Sequence, residues 1–384
     1  MRTSSPVYRA WAEVDLNAVA NNLRWIRQGV GDAFGVVTVV KADAYGHGLS
    51  QIAGHLMQHG TDILGVANCD EAAQVRSCGQ GWPILMLGAC HSSAEFESLC
   101  RDDALVTVSS IEEVSDLAQV ARSLGCRARV HMKVDTGMTR VGVSPEGATT
   151  LARSIVQEDA LELDGVYTHL SSSEDDARYT GHQMLQFREC LSNLAGIGIV
   201  APKNHVLNSG GLVYESKRLG NFVRPGLLVY GIVPPGRRPR LAPWVQKLVP
   251  VLSLKARVTQ IKRVKPGTSI SYGQLDVCAK VGTLAVVGIG YGDGIPRSAS
   301  RRMEVLIRGN RCPVRGVITM DQMIVDVSHV PDAQRGDEVV LMGRQEGREV
   351  TCMELSRAAD TIPWEVLTSI TRRVPRRYRG IAVG

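Results

Sequence analysis

The stretch Val36-Val37-Thr38-Val39-Val40-Lys41-Ala42-Asp43-Ala44-Tyr45-Gly46-His47-Gly48 decides how the rest of the chain is read. A β-branched apolar run of this kind reads as a strand buried on both faces. It stops abruptly at Lys41, followed by small residues, a tyrosine and two glycines. A lysine at the C-terminal mouth of a buried strand is costly unless its charge is used or relieved. Desolvation lowers a lysine pKa, and a neutral amine is a nucleophile able to form a Schiff base. Gly46 and Gly48 let backbone approach a ligand closely, and Tyr45 offers a hydroxyl donor beside it. A lone lysine in this place reads first as a snorkelling side chain; the whole phrase favours a ligand.

Outward from that strand, short apolar runs alternate with helical patterns. On its N-terminal side, Asp15 precedes Leu16, Val19, Leu23 and Ile26, an N-cap followed by helical spacing. On its C-terminal side, strand candidates fall at 63–67, 84–87, 105–108, 128–134, 163–169, 205–207 and 227–232. The intervening segments, such as 111–121, carry apolar residues at helical spacing. Strict alternation implies a parallel sheet with right-handed crossovers. Eight units in roughly 230 residues fit a (β/α)8 TIM-type barrel better than an open sheet. A Pro- and Gly-rich stretch at 234–243 reads as a linker. Beyond it come strands at 251–258, 283–289, 303–307, 323–327 and 338–342, separated by Gly-rich turns, with one amphipathic helix near 351–359. The expected layout is a barrel over residues 1–240 followed by a mainly-β domain over 241–384.

Composition sets the class. A chain of 384 residues exceeds what one core of about 250–300 residues fills, which agrees with two domains. Its 44% hydrophobic and 21% charged residues are ordinary for a soluble enzyme. A net charge of +6 is mild, and no nucleic-acid-binding motif accompanies it. The densest basic cluster is Arg372, Arg373, Arg376, Arg377 and Arg379, a solvated face or a partner for an anionic cofactor. The nine cysteines are scattered, with no C-x-x-C pair, which argues against a disulfide framework or zinc site and for a reducing compartment. No metal site is expected. The N-terminal stretch Met1-Arg-Thr-Ser-Ser-Pro-Val-Tyr-Arg-Ala-Trp11 lacks a signal peptide's apolar core, and no run is long enough to span a membrane. A cytoplasmic location is expected.

In a barrel, catalytic groups sit at the C-terminal ends of strands. Several unusual polar residues fall there, after different strands. Lys41 and Tyr45 end the first; Lys133, Asp135 and Arg140 follow the fifth; His169 ends the sixth; Asn208 and Ser209 follow the seventh; Arg224 and Gly226 lead into the eighth. Taken singly, a histidine such as His169 reads as a hydrogen-bonded core residue. The convergence is what argues for one site.

The segment from Val39 to Gly48 resembles the pyridoxal 5'-phosphate attachment segment of the alanine racemases, with Lys41 as the attachment lysine. Lys133-Val-Asp-Thr-Gly-Met-Thr-Arg140 resembles the segment carrying that family's substrate-facing arginine. Tyr167-Thr-His169-Leu, Asn208-Ser209, Val223-Arg224-Pro-Gly226, Ile270-Ser-Tyr272-Gly273, Tyr291-Gly-Asp-Gly-Ile-Pro-Arg297 and Thr319-Met320-Asp321-Gln322 match further family motifs. The resemblance covers essentially the whole chain. It implies a phosphate held by Ser209, by main-chain donors around Ser209, Gly226 and Leu227, and by Tyr45. It also implies an Arg224 facing the pyridine nitrogen, and a Lys133 that is carbamylated in several family members and orients Arg140.

Inverting a stereocentre is simplest with one base on each face of a planar carbon. The resemblance makes Lys41 one base and Tyr272 the other, with Tyr272 and Met320 coming from the second subunit of a homodimer. Met320 would meet the substrate carboxylate through its main-chain amide, near Arg140. A free phenol titrates near ~10 and needs a cationic neighbourhood to act as a base; the family supplies one through His169 and Arg224. The implied activity is interconversion of L- and D-alanine, supplying D-alanine for peptidoglycan. Three departures stand out: Arg372 replaces a usual tyrosine, Thr319 a common cysteine and Val317 a frequent arginine. Arg372 keeps a broader or serine-preferring racemase open as the alternative. A non-catalytic cofactor-binding barrel would need neither Tyr272 nor the β domain.

Overall fold

The computed structural model describes residues 8–215 and 217–380. Residues 1–7, part of the stretch read above for a signal peptide, lie outside the described residues. The chain divides into two compact units, one of which holds 18–44 and 48–249 and the other Tyr45–His47, Pro250 onward and the residues up to Asn17. Among the described residues no helix is long and apolar enough to cross a membrane.

The first unit is a closed barrel of eight parallel strands. Numbering from β1 (Ala10–Asp15), which belongs to the other unit, they are β2 (Gly35–Val39), β3 (Ile63–Val66), β4 (Ile84–Met86), β5 (Leu105–Val108), β6 (Ala128–Lys133), β7 (Leu161–Tyr167), β8 (Lys203–Asn208) and β9 (Phe222–Arg224). β2 closes the ring on β9 through Gly35–Phe222 and Val36–Val223. The strands are apolar because both faces are covered, and Val37, Ile63, Leu85 and Leu105 from four successive strands pack as one buried cluster. Helix starts are specified locally. Ser110 forms a capping box with Glu113 ahead of Ile111–Leu124, and Asn68 caps Cys69–Cys78.

The eighth strand differs from its expected place. The run at 227–232 is not a strand; Leu227–Tyr230 is a 3-10 turn, and the strand is the earlier Phe222–Arg224. Pro225 has no N–H to extend a ladder, and Gly226 turns the chain. The run is apolar because Leu227, Leu228, Val229 and Tyr230 are all fully buried. Arg224 therefore ends the last barrel strand instead of leading into it. The segment 234–243 is also more than a tether, since Arg238 bonds to Glu215, Ser173 and Tyr214 and packs that segment within the barrel unit.

The second unit is a nine-stranded sheet built on β10 (Leu252–Val264). Its other strands are β11 (Gly282–Val287), β12 (Glu304–Ile307), β13 (Asn310–Arg315), β14 (Met323–Asp326), β15 (Glu338–Gln345), β16 (Arg348–Val350) and β17 (Arg376–Arg379). β1 lies between β10 and β17, antiparallel to one and parallel to the other, so the chain's first described strand is part of this unit. The expected helix near 351–359 is Cys352–Ala359, started by a Thr351–Glu354 capping box.

Candidate active site

Lys41 follows β2 after Val40 and begins a turn of unusual hand. Ala42, Asp43, Ala44 and Tyr45 have φ of 54°, 55°, 53° and 54°, with Gly46 at 77°. A left-handed turn costs L-residues on the order of 1–2 kcal/mol each. Hydrogen bonds hold it. Ala42 N–H donates to Glu71 Oε1 at 2.6 Å, and Ala67 N–H donates to the same carboxylate at 2.8 Å. Asp43 Oδ1 accepts from Leu49 N–H at 2.8 Å, tying the turn to the helix that follows. Strain of this kind persists where the surroundings over-determine it, commonly at functional sites. Burial and the nearby Arg140 lower the Lys41 amine, against a smaller opposing effect of Glu71.

Four cations gather around the barrel's C-terminal end. Lys133 ends β6, and burial with the charges of Arg140, Arg224 and Lys41 brings its amine down to about 8, against Asp135. Asp135 organises the loop carrying Arg140: Oδ1 accepts from the amides of Gly137, Met138 and Thr139 at 2.9, 2.8 and 3.1 Å, and Oδ2 from Arg140 N–H at 3.1 Å. Burial raises this carboxyl, but the four donors outweigh it and hold it below its ordinary range. Arg224 is buried, sits 5.1 Å from the Tyr167 ring centroid, and donates to the carbonyls of Thr168, His205 and Val206. It also lies 3.4 Å from His169 Nδ1. Burial first, then Arg224, Arg140, Lys133 and Lys41, keep His169 far below its ordinary value, so its imidazole is neutral.

Ser209 and Asn208 sit at the end of β8, where Ser209–Tyr214 begins as a short helix. Asn208 Oδ1 caps it by accepting from Gly211 N–H at 2.8 Å, and its amide nitrogen lies 3.5 Å from His169 Nε2. Ser209 Oγ accepts from Gly226 N–H at 2.9 Å and from Leu228 N–H at 3.5 Å, leaving its own O–H to donate elsewhere. Leu227 is fully buried. Lys41, Lys133, Arg140, His169, Asn208, Ser209, Arg224, Gly226 and Leu227 thus all belong to the strand ends and loops at one end of the barrel. Cationic amines and guanidiniums, a hydroxyl and main-chain amides form a donor set suited to a phosphorylated, anionic cofactor.

Tyr45, Tyr272 and Met320 belong to the other unit. Tyr45 is buried, which pushes its phenol upward. Tyr272 opens the 3-10 turn Tyr272–Gln274 and is 71% exposed. The preceding Ser271 has φ 63° and ψ −163°, a backbone region other residues than glycine rarely adopt, held by its hydroxyl's bond to Val317 O at 2.6 Å. Met320, also half-exposed, is carried by a loop clamped to the Tyr291-Gly-Asp-Gly segment. Tyr291 N–H donates to Thr319 O and Gly292 N–H to Met320 O, both at 2.9 Å. A Cβ on Gly290 would come within 2.1 Å of Thr319 O, so only glycine allows that approach. Beneath it, buried Asp293 receives Arg9 at 2.6 and 3.0 Å and Arg373 at 3.3 Å. Arg372 is exposed.

Several parts were not singled out from sequence: Glu71, Arg9, and a group of buried His131, His205 and Asp164 with part-buried Lys203; Asp293 and Arg373 were named only within a family motif and the basic cluster. The signal available for the histidine group was His131 within the 128–134 run and His205 at the start of the 205–207 run.

Comparison with known proteins gives a consistent result. Residues 14–234 match the family model for the alanine racemase N-terminal domain, and 251–378 the model for the alanine racemase C-terminal domain. The chain is 42% identical over 371 residues to an alanine racemase of Symbiobacterium thermophilum, covering 96% of this chain and 97% of that one. It is 36% identical over 374 residues to one from Nostoc sp., covering 96% and 95%. Among solved structures, alanine racemase from D-cycloserine-producing Streptomyces lavendulae superposes with a TM-score of 0.91 at 32% identity, covering 98% of each chain. That of Bacillus anthracis with bound L-Ala-P gives 0.88 at 32% identity, covering 98% and 96%.

Proposed function

As the chain belongs to the alanine racemase family, we propose that it interconverts L- and D-alanine with pyridoxal 5'-phosphate held at the C-terminal end of its barrel. The observation that carries this reading is Lys41, a part-buried amine lowered by burial and Arg140, set among further cations from separate strand ends. Ser209, the amides near Gly226 and Leu227, and Tyr45 would hold the phosphate; Asn208 and His169 line the same end. When bound, the cofactor draws electrons from the substrate's α-carbon and so acidifies its proton.

The chain's own residues do the rest. Lys41, its amine already lowered, takes or returns the proton on one face of that carbon. Tyr272, from a second copy of the chain, serves the other face. Arg140 and the Met320 amide hold the carboxylate. Arg224, charged and fixed by three carbonyls, would be the group to meet the ring nitrogen and, as a permanent donor, would favour its unprotonated form. Lys133, lowered to about 8, has the neutral amine fraction that carbamylation requires, and as an anion it would orient Arg140. Tyr272, Leu275, Val277 and Met320 are large side chains left exposed, which supports a homodimer with shared sites. The product serves peptidoglycan synthesis in the cytoplasm.

Lys41→Ala tests the reading. Wild type reconstituted with pyridoxal phosphate should be coloured and should racemise L-alanine in preference to L-serine. The variant should lose both colour and racemisation, and a colourless wild type would refute the proposal. Arg372, exposed in place of the family's tyrosine, favours a second reading of broader range; serine turned over with the higher kcat/KM would establish it.

A further inference from the structure

A buried hydrogen-bonded chain runs from Arg224, already described, into the barrel interior. Arg224 Nη1 donates to His205 Nδ1 at 2.7 Å. His205 Nε2 lies 2.9 Å from His131 Nδ1, and His131 Nε2 lies 2.9 Å from Asp164 Oδ2. Lys203, at the start of β8, pairs with Asp164 Oδ1. Both imidazoles are 0% exposed, Asp164 is 4% and Arg224 3%.

Elementary donor and acceptor rules give this chain one direction. An arginine only donates, so His205 Nδ1 must be bare and its proton must sit on Nε2. That proton points at His131 Nδ1, which is then bare in turn, and His131 Nε2–H points at the carboxylate. Reversing any one link would set two donors face to face against Arg224. The order therefore needs an acceptor that cannot donate at its far end, which an ionised Asp164 supplies and Lys203 keeps ionised. Burial opposes charge on both imidazoles in agreement with the neutral tautomers, and the bonds from His131 and Lys203 outweigh burial to hold the Asp164 carboxyl at about 2.

Two features of the backbone are built for this chain. The β6–β7 register slips between Val130 and His131: Val130 faces Leu163 and His131 faces Gly165, so Asp164 is the extra residue of a bulge. Bulges are uncommon in parallel pairs and re-aim side chains. Gly165 makes the space, because a Cβ there would stand 2.5 Å from the His131 ring.

We propose that Asp164 is a positioning residue for the reaction, acting through His131 and His205 to fix how Arg224 presents its guanidinium. The role rests on the reading above, in which Arg224 faces the cofactor's ring nitrogen. Nitrogen-15 histidine spectra of the full-length protein, with and without pyridoxal phosphate, test the order itself. His131 and His205 should each show a bare Nδ1 and a protonated Nε2 at neutral pH. A protonated Nδ1 on either would overturn the proposal, whether or not the protein racemises alanine.

Three variants then test the consequence. His131→Leu cuts the chain, while His131→Gln can still accept from His205 and donate to Asp164. Asp164→Asn keeps an acceptor but turns an N–H₂ toward the Lys203 ammonium. The expected result is kcat lower by about tenfold in His131→Leu and Asp164→Asn, with KM for alanine little changed and His131→Gln close to wild type. Wild-type kcat in His131→Leu, or an equal loss in His131→Gln, would overturn it. Loss of all activity in wild type would instead sink the racemase reading and leave the spectra to stand.

Discussion

At the scale of single residues, the barrel end is shaped by charges kept apart from water. Lys41 and Lys133 are lowered by burial and by one another's neighbours, while His131, His169 and His205 are held below their ordinary value of 6.5, chiefly by burial. The histidines have a consequence for stability. On the acid side of about 6.5 the unfolded chain takes up protons on these imidazoles that the folded chain does not. The unfolding free energy should therefore fall as pH drops through that value. Denaturant titrations of the cofactor-free protein from about pH 7.5 to about pH 5 check the sign, and a flat or rising stability on acidification would contradict it. Lys41 was legible in the sequence because a charged residue after an apolar strand run needs a reason, and Arg140 through the family resemblance of the segment that carries it. Asp164 was not, since a carboxylate in the middle of a strand pattern reads as a solvent-facing alternation until the bulge is seen.

At the scale of elements, the left-handed turn after β2 is the least expected feature. Ala42, Asp43, Ala44 and Tyr45 carry no glycine among them, and local propensity predicts nothing of this hand. What imposes it is distant in sequence: Glu71 receiving Ala42 N–H, and Arg376 Nε donating to Gly46 O at 3.0 Å. Gly46 itself has φ 77° and would place a Cβ 2.3 Å from Leu367 O. Gly46→Ala should lower stability by at least about 1 kcal/mol and reduce kcat, since Lys41 begins the same turn. Thermal unfolding and a racemisation assay of that variant check both, and a variant as stable and active as wild type would show that the turn tolerates relaxation. The strands β2 to β8 were readable from hydrophobic runs, because burial on both faces leaves that pattern. The same pattern misplaced the eighth strand, where a buried 3-10 turn is just as apolar as a strand. Strands β1, β13, β16 and β17 went unread because they are short or alternate with charged residues.

At the scale of the whole molecule, one chain supplies a lysine on a barrel and a tyrosine on a β unit, and the proposed chemistry needs both at one carbon. A site shared between copies makes a simple prediction. Mixing inactive Lys41→Ala and Tyr272→Phe proteins under conditions of subunit exchange should restore part of the racemisation, because some mixed dimers regain one intact site; no recovery despite proven exchange would argue for sites within a single chain. The most direct test of the two-base account is isotopic. Tyr272→Phe, loaded with pyridoxal phosphate, is incubated in deuterium oxide with each enantiomer of alanine separately. The account predicts that Lys41 still exchanges the α-hydrogen of one enantiomer, while exchange from the other and net inversion fall by ~10²–10⁴. Exchange that is lost equally from both enantiomers, or kept equally in both, would contradict it.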